Sequence, residues 1–480
     1  MLAFVFVFVI PTSASSITIA ADVEEHILNQ LKQTNIPNAA VAVIQNGETS
    51  YFLNNSQHDT LFQIGSLAKS FTGFGVLLLE EMGLLSVNDP INQHLPWFAV
   101  RYNGAPIPHG EITIANLLHH TSGFTSNERR FPSSITGLTI DEFIAELIDV
   151  ELAFYPSTAH IYANINYIIL GFLIEAVTGQ SYHEFMTARV LHPLGLYNTF
   201  TDVQQAHDTG RVIGGHRLMF FQVVSWNPPI TPLAIPTGFI YSSISDMARW
   251  AGIHLGAIEV SEQLSKVVAR SHEHNHYIVN PFEGLGFFYG AGWGVNAENG
   301  DIGHGAATPS YSAIIEIVRH NNTAVVVLGN MQNRAIPFAS VVLEAVNNDV
   351  FNGAALDLQI IFDIIFSALT LTGTIFVFLF VRLVIRFVKR LRSGEQIKAR
   401  FEPRNIIWFM DLIISIIGVL AFYLLVPSIF FRTSYAFAAM FSPASITTAG
   451  IAVWIMLAYS AFEFIAKLFG VVDVKSKKLR

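Results

Sequence analysis

Three long apolar runs in the last quarter of the chain limit its fold more than any other feature. Ile364 to Val381 carries no charged side chain and is long enough to cross a bilayer as a helix. A second run covers about Ile406 to Phe431 and a third about Ile446 to Phe469. In hydrocarbon every backbone N–H and C=O must find its partner within the segment, so runs of this kind must be helical. The sequence therefore predicts transmembrane helices at 359–381, 406–431 and 446–469. Asp363, Asp411 and Glu463 lie in or beside them and read as helix-end groups near basic residues or the interface, rather than as a transport path. The whole chain has 480 residues, 51% hydrophobic and 13% charged, a balance that also points to the membrane.

Charge gives these spans a direction. The segment 382–404 holds Arg382, Arg386, Lys389, Arg390, Arg392, Lys398, Arg400 and Arg404. The tail 470–480 holds Lys475, Lys477, Lys478 and Arg480, whereas the connection between the second and third runs has only Arg432. The positive-inside rule places the basic loop and tail in the cytoplasm and everything before residue 359 outside it. The N-terminus agrees. Met1 to Ile10 is almost wholly apolar and is followed by small residues near Ala14 and Ala20, as in a secretory signal peptide over 1–20. It lacks the usual basic start, and an uncleaved anchor is the alternative; both deliver residues 22–347 to the extracytoplasmic side. The expected localisation is thus a multi-pass protein of the cell membrane, in contact with the lipid bilayer. The formal net charge of −9 gives no footprint for nucleic acid, and the absence of cysteine excludes disulfides, thiol catalysis and cysteine-ligated metals.

Within 22–347, Val41 to Phe52 is two β-prone runs around Asn46-Gly47, a pair suited to the type I′ turn of a hairpin. Ser312 to Arg319 and Thr323 to Leu328 form a second such unit around His320-Asn321-Asn322. Between them the pattern is helical. Ser66 to Met82 ends at Gly83, Tyr167 to Val177 at Thr178-Gly179, and Ile244 to His254 near Gly256, with a last helix over about Ile336 to Val346. Strands from both ends around a helical insert predict an α/β (α+β) domain: an antiparallel sheet flanked by helices plus a mostly helical lobe.

The chemistry concentrates at Gln63-Ile-Gly-Ser-Leu-Ala-Lys-Ser-Phe-Thr-Gly73. Ser66 and Lys69 are three residues apart at a helix start, so their side chains share one face. A serine hydroxyl needs a base to become a nucleophile, and an adjacent lysine is one. The helix start adds unpaired N–H groups that favour a developing anion. Alone, Ser-x-x-Lys reads equally well as two residues on a solvated helix face. Two further pieces follow in order: Tyr162-Ala-Asn164 just before a helix, and Gly303-His-Gly-Ala-Ala307 before a β-prone run.

With these motifs the chain resembles the serine β-lactamase and penicillin-binding family, on its class C, D-Ala-D-Ala carboxypeptidase and esterase side. Met82 to Pro96, Ile112 to Gly123, Pro236 to Ser242 with Asp246 to Trp250, and Tyr289-Gly-Ala-Gly-Trp-Gly294 resemble it as well. The resemblance covers roughly Glu25 to Val346 and does not reach the apolar runs. It implies that Ser66 is the acylated nucleophile, Lys69 its base partner and Tyr162 a second general acid/base. It further implies substrate contacts from Asn164, His304, Gly305 and Ala306, and an oxyanion hole from the backbone N–H groups of Ser66 and Ala307. No metal or organic cofactor is implied. The substrate would be an envelope peptide, an ester or a β-lactam, cleaved through an acyl-enzyme. Two departures stand out: Ala306 replaces a usual Gly, and Ser310 replaces a frequent one; His304 stands where the family has Lys or His and, mostly neutral at pH 7, is a weaker fixed cation than Lys. The alternatives are a β-lactam or cell-wall sensor, and an inactive, membrane-anchored binding module closed by Ala306. His272-Glu-His-Asn-His276 reads as a polar surface loop, and His119-His120 as a buried structural turn.

Overall fold

The computed structural model describes residues 25, 27–29, 35–125, 139–274, 287–332, 339, 342, 346, 358–393, 405–425 and 442–468. The expected signal segment, the basic tail and most of the helix expected near 336–346 lie outside them. The chain divides into two compact units, one comprising Leu2–Arg217 and Ser225–Ala355, the other Leu218–Val224 and Leu356–Arg480 together with Met1.

The first unit is built on a seven-stranded antiparallel sheet. β1 (Ala39–Gln45) and β2 (Glu48–Asn54) form the N-terminal hairpin. β3 (Phe287–Tyr289), β4 (Gly294–Asn296), β5 (Ile302–Ala307), β6 (Ser312–Val318) and β7 (Thr323–Gly329) come from the far end of the unit. Their order is β3-β4-β5-β6-β7-β1-β2, with Ala39 opposite Gly329 and Gln45 opposite Thr323. Both expected hairpins are present. Asn46 and Gly47 take φ of 52° and 86°, the left-handed pair a type I′ turn requires. β6 and β7 are buried along their whole length, which explains their near-continuous Val, Ile and Ala runs.

Helices cover this sheet and form the lobe beside it. α1 (Ala68–Glu81) follows a 3₁₀ turn at Gly65–Leu67; α2 (Asn164–Thr178) ends on Gly179 in the left-handed region. α3 (Ile244–Leu255) starts at Ser243, whose hydroxyl accepts from Asp246 N, and packs on β1 and β7. α4 (Glu262–Ser271) packs against α1. Trp250 of α3 stacks on Phe71 at 4.5 Å, and its Nε1 donates to Ser70 Oγ (3.1 Å). An apolar core thus holds α1 rigidly from behind.

The second unit contains α5 (Leu358–Arg392), α6 (Asn405–Leu420) and α7 (Ser445–Leu468). Two helices here, Ile361–Arg392 and Ser445–Leu468, are long and apolar enough to cross a membrane. The span expected at 406–431 is described only as a shorter apolar helix, continued by a turn of π-helix over Ala421–Leu425. Residues 426–431 of that expected span lie outside the described residues. The basic loop also differs from expectation. Arg382 to Arg392 continue α5 as helix, because nothing in that stretch breaks the pattern. Asp363 has no basic partner among the described residues. It is fully buried and accepts from Phe220 N (3.2 Å) and Phe221 N (2.6 Å), in a hairpin turn belonging to this unit, and from Ser445 Oγ. Two left-handed residues, Phe220 and Phe221, leave their N–H groups directed outward, and a carboxylate satisfies both.

Candidate active site

Gly65 brings the nucleophile to the sheet edge. Its φ is +53°, and a Cβ there would stand 3.0 Å from Ala306 Cβ and 3.2 Å from Ala307 N. Only glycine permits both that backbone conformation and that approach. Ser66 follows, half-buried, in the 3₁₀ turn, and Lys69 lies in the first turn of α1. β4 pairs with β5 only at Ile302 and Gly303, so among the described residues the later part of β5 faces Gly65–Leu67 with its edge open. The backbone of Ala307 therefore lies beside the Ser66 turn.

Lys69 is fully buried. Its Nζ donates to Thr237 O (2.7 Å) and lies 3.3 Å from Ser66 Oγ. It also sits 4.8 Å from the centre of the Tyr162 ring and 5.8 Å from that of Tyr167. A buried ammonium demands such partners, since desolvation without them costs several kcal/mol. The Pro236-Thr237 segment is tied to α1 twice, because Thr72 Oγ1 also donates to Pro236 O (2.7 Å). On the other side, Gly292 lets a turn press on α1. Its φ is +87°, and a Cβ there would meet Ser70 N at 2.4 Å and Lys69 O at 2.5 Å.

Tyr162 lies two residues before α2, and Asn164 opens that helix. His304 is buried on β5, 6.1 Å from the Tyr162 ring. Its Nδ1 is 2.7 Å from Gly305 O, and its Nε2 is 3.0 Å from Tyr289 OH. Burial, with Lys69 as the next cause, pushes the imidazole down to about 3. Ala306 is fully buried, its methyl turned onto Gly65. Ser66, Lys69, Tyr162 and His304 thus meet at one place, with Asn164, Gly305, Ala306 and Ala307 immediately beside them in the chain.

Other residues complete the surroundings: His120, expected as part of a buried structural turn, is buried as expected, whereas its place beside Tyr162 and the part of His160 were not foreseen. His120, in the left-handed region at φ +54°, packs its ring 4.5 Å from Tyr162 and 4.7 Å from Tyr289. Its Nδ1 accepts from Asn166 Nδ2 (2.9 Å), and burial with His160, then Lys69, holds it well below the usual histidine range. His160 is buried and lowered to about 4, by desolvation first and His119 next. Their only signal was position: one lies within the segment Leu117-Leu-His-His-Thr-Ser-Gly123, the other precedes Tyr162 by two residues. His272 is half-buried rather than part of a free surface loop; it caps α4, where its Nε2 lies 2.8 Å from His254 Nδ1 and Arg319 Nη2 lies 2.9 Å from its Nδ1. His276 lies outside the described residues. A cavity of about 630 Å³ opens behind Pro236, lined by Ile168, Phe172, Tyr182, Leu233 and Ile235; none of the expected site residues lines it.

An antiparallel sheet edged by a Ser-x-x-Lys helix start defines a serine β-lactamase-like fold. The family model named Beta-lactamase matches residues 23–339, and the chain belongs to that family. Among solved structures it is similar to an octameric penicillin-binding protein homologue from Pyrococcus abyssi, with a TM-score of 0.59 and 24% identity over 68% of this chain and 77% of that one. It is also similar to a class C β-lactamase from Rhodobacter sphaeroides, with a TM-score of 0.57 and 21% identity over 67% and 98%. Among curated proteins it is 27% identical to Protein flp of Staphylococcus aureus, over 68% of this chain and 65% of the relative's length. It is 31% identical to penicillin-binding protein 4* of Bacillus subtilis over 29% of this chain and 30% of that one.

Proposed function

We propose that the chain is a membrane-anchored, extracytoplasmic serine hydrolase that opens an amide or ester bond through an acyl-enzyme. The observation that carries the reading is the buried Lys69 side chain, its Nζ 3.3 Å from Ser66 Oγ and oriented by Thr237 O. Ser66 Oγ attacks the carbonyl carbon, and its proton passes to the Lys69–Tyr162 pair, which starts the step one proton short, with either the Lys69 amine or the Tyr162 phenolate as the acceptor. The backbone N–H groups of Ser66 and Ala307 receive the oxyanion, each donor typically worth about 100- to 1000-fold in rate. The pair then returns a proton to the leaving group, and water repeats the sequence to free the enzyme. The candidate substrates are an envelope peptide, a small ester or a β-lactam. Ala306 supports this reading over an inactive module, because its methyl is accommodated against Gly65 while Lys69 Nζ keeps its place 3.3 Å from Ser66 Oγ. Two long apolar helices support the anchor.

The test is labelling by a serine-directed acylating probe, with intact-mass detection of the adduct. The wild type should gain one acyl group and Ser66→Ala none, with both folded by circular dichroism. Equal labelling of the two would overturn the assignment.

A further inference from the structure

Two hairpins of this chain turn through left-handed pairs of residues, with opposite choices of side chain. Asn46-Gly47 is the pair that such a turn favours. The strands His216–Met219 and Gln222–Ser225 are joined instead by Phe220-Phe221, at φ 48° and 62°. Bulky residues rarely enter that region, so two phenylalanines there run against the local preference of the backbone. Burial does not account for them either, because Phe221 is 58% exposed and Phe220 is half-buried. A backbone outlier held in place by its surroundings points to a role for its side chains.

The contacts of this hairpin say where its tip lies. Residues Leu218–Val224 belong to the same compact unit as α5, α6 and α7. Asp363, in the second turn of α5, accepts from Phe220 N (3.2 Å), from Phe221 N (2.6 Å) and from the hydroxyl of Ser445, the first residue of α7. Just before α7, Ala444 N donates to Leu218 O (2.7 Å). From that junction α5 and α7 run side by side in the same direction, Phe376 meeting Tyr459 and Phe380 meeting Phe462. The turn therefore sits where two long apolar helices both begin. For helices that span, a common start is one face of the bilayer. Aromatic side chains are favoured at that depth, between the headgroups and the first acyl carbons.

We propose that the Phe220-Phe221 turn is a lipid-contacting surface, seated in the extracytoplasmic interface of the phospholipid bilayer, with Asp363 as the positioning residue that holds it there. The partner is lipid because the apolar tip is continuous with the starts of the two helices. Asp363 satisfies the two N–H groups of the turn, so no unpaired backbone donor enters the apolar layer. Membrane contact then comes from inside residues 23–339, the part matched by the family model, as well as from the helices after it. The proposal rests on the membrane-anchor reading and goes beyond it.

Because the chain has no cysteine, one thiol can be placed at a time. The full chain is reconstituted in phosphatidylcholine vesicles with or without brominated phosphatidylcholine, and bimane is attached to Phe221→Cys, Ile375→Cys or Glu298→Cys. Emission should fall in brominated lipid at 375, midway along α5, and stay unchanged at the exposed position 298. At 221 the loss should be at least about half of that at 375, since an interfacial side chain reaches about 5–10 Å into the headgroup and acyl boundary. Asp363→Ala should abolish most of the loss at 221 and leave that at 375. Asp363→Asn, which keeps one acceptor oxygen, should fall between and carries the comparison if the alanine variant does not insert. Quenching at 375 without quenching at 221 overturns the proposal, whether 221 is then open to aqueous iodide or covered by protein. Quenching at 221 that both Asp363 variants leave intact overturns the role of Asp363. If 375 is not quenched either, the membrane-anchor reading itself fails, an outcome distinct from the other two.

Discussion

Lys69 shows how little of a residue's role lies in its own chemistry. A lysine on an exposed helix face is a solvated cation. Here two backbone carbonyls, at Pro236 and Thr237, are drawn to α1 by Thr72 and Lys69, and the ammonium is held facing Ser66 Oγ. Replacing it with methionine keeps the apolar stem and removes the proton carrier. Lys69→Met is therefore expected to lower kcat/KM by about 10²- to 10⁴-fold, the range of a general base, with an unchanged circular dichroism spectrum. Activity within a few fold of wild type would place the proton elsewhere. The Ser66–Lys69 spacing was legible because the i, i+3 relation is local. Thr237 was not, because its part is played by a backbone carbonyl 168 residues away, and a carbonyl leaves no mark in side-chain chemistry.

At the scale of the element, β5 and β6 have two different faces. His304 looks toward the site. On the other face Glu316, opposite Gly303, is buried, and its Oε2 would stand 2.5 Å from a Cβ on that glycine. Burial, then the charge of Asp301, pushes Glu316 up to about 8. A folded-state value above the unfolded one means that the native state holds the proton more tightly. The stability it contributes is complete below the unfolded value of roughly 4.3 and is lost as pH rises toward about 8. Melting temperature should therefore fall across that window, and Glu316→Gln should flatten the fall. A slope identical in the two proteins would show that Glu316 does not titrate there. The alternation of faces was readable from the strand period, whereas the buried acid was not. The run Ser312-Ala-Ile-Ile-Glu-Ile-Val318 looks like an ordinary strand with one outward charge until a second layer covers that face.

For the whole molecule, the absence of cysteine turns the proposed topology into a clean measurement. A single cysteine placed at the exposed Glu298 should react with an impermeant maleimide in spheroplasts. One at Ser393, at the basic end of α5, should react only after the membrane is opened. The reverse pattern would invert the orientation, and labelling of both in intact spheroplasts would remove the barrier between them. The basic residues argue for this orientation through the positive-inside rule. α5 continues to Arg392 as a 35-residue helix, so part of the expected loop is helical extension beyond the apolar run.

What the amino-acid order determined by itself is what depends on neighbours in the chain. That covers the two hairpins with their left-handed turns, the glycine-ended helices, the Ser66–Lys69 face, the apolar runs and the basic segment that follows the first of them. Tertiary structure alone decided which distant groups complete the site. It brought Thr237 to Lys69, Tyr289 to His304 and His120 to Tyr162, and turned the methyl of Ala306 onto Gly65. It also gave Asp363 the N–H groups of Phe220 and Phe221 instead of a basic partner. The physical reason is common to all of these. Local pattern follows from backbone geometry over a few residues, but the protonation and partner of a buried polar group are set by whatever lines its cavity once water has left.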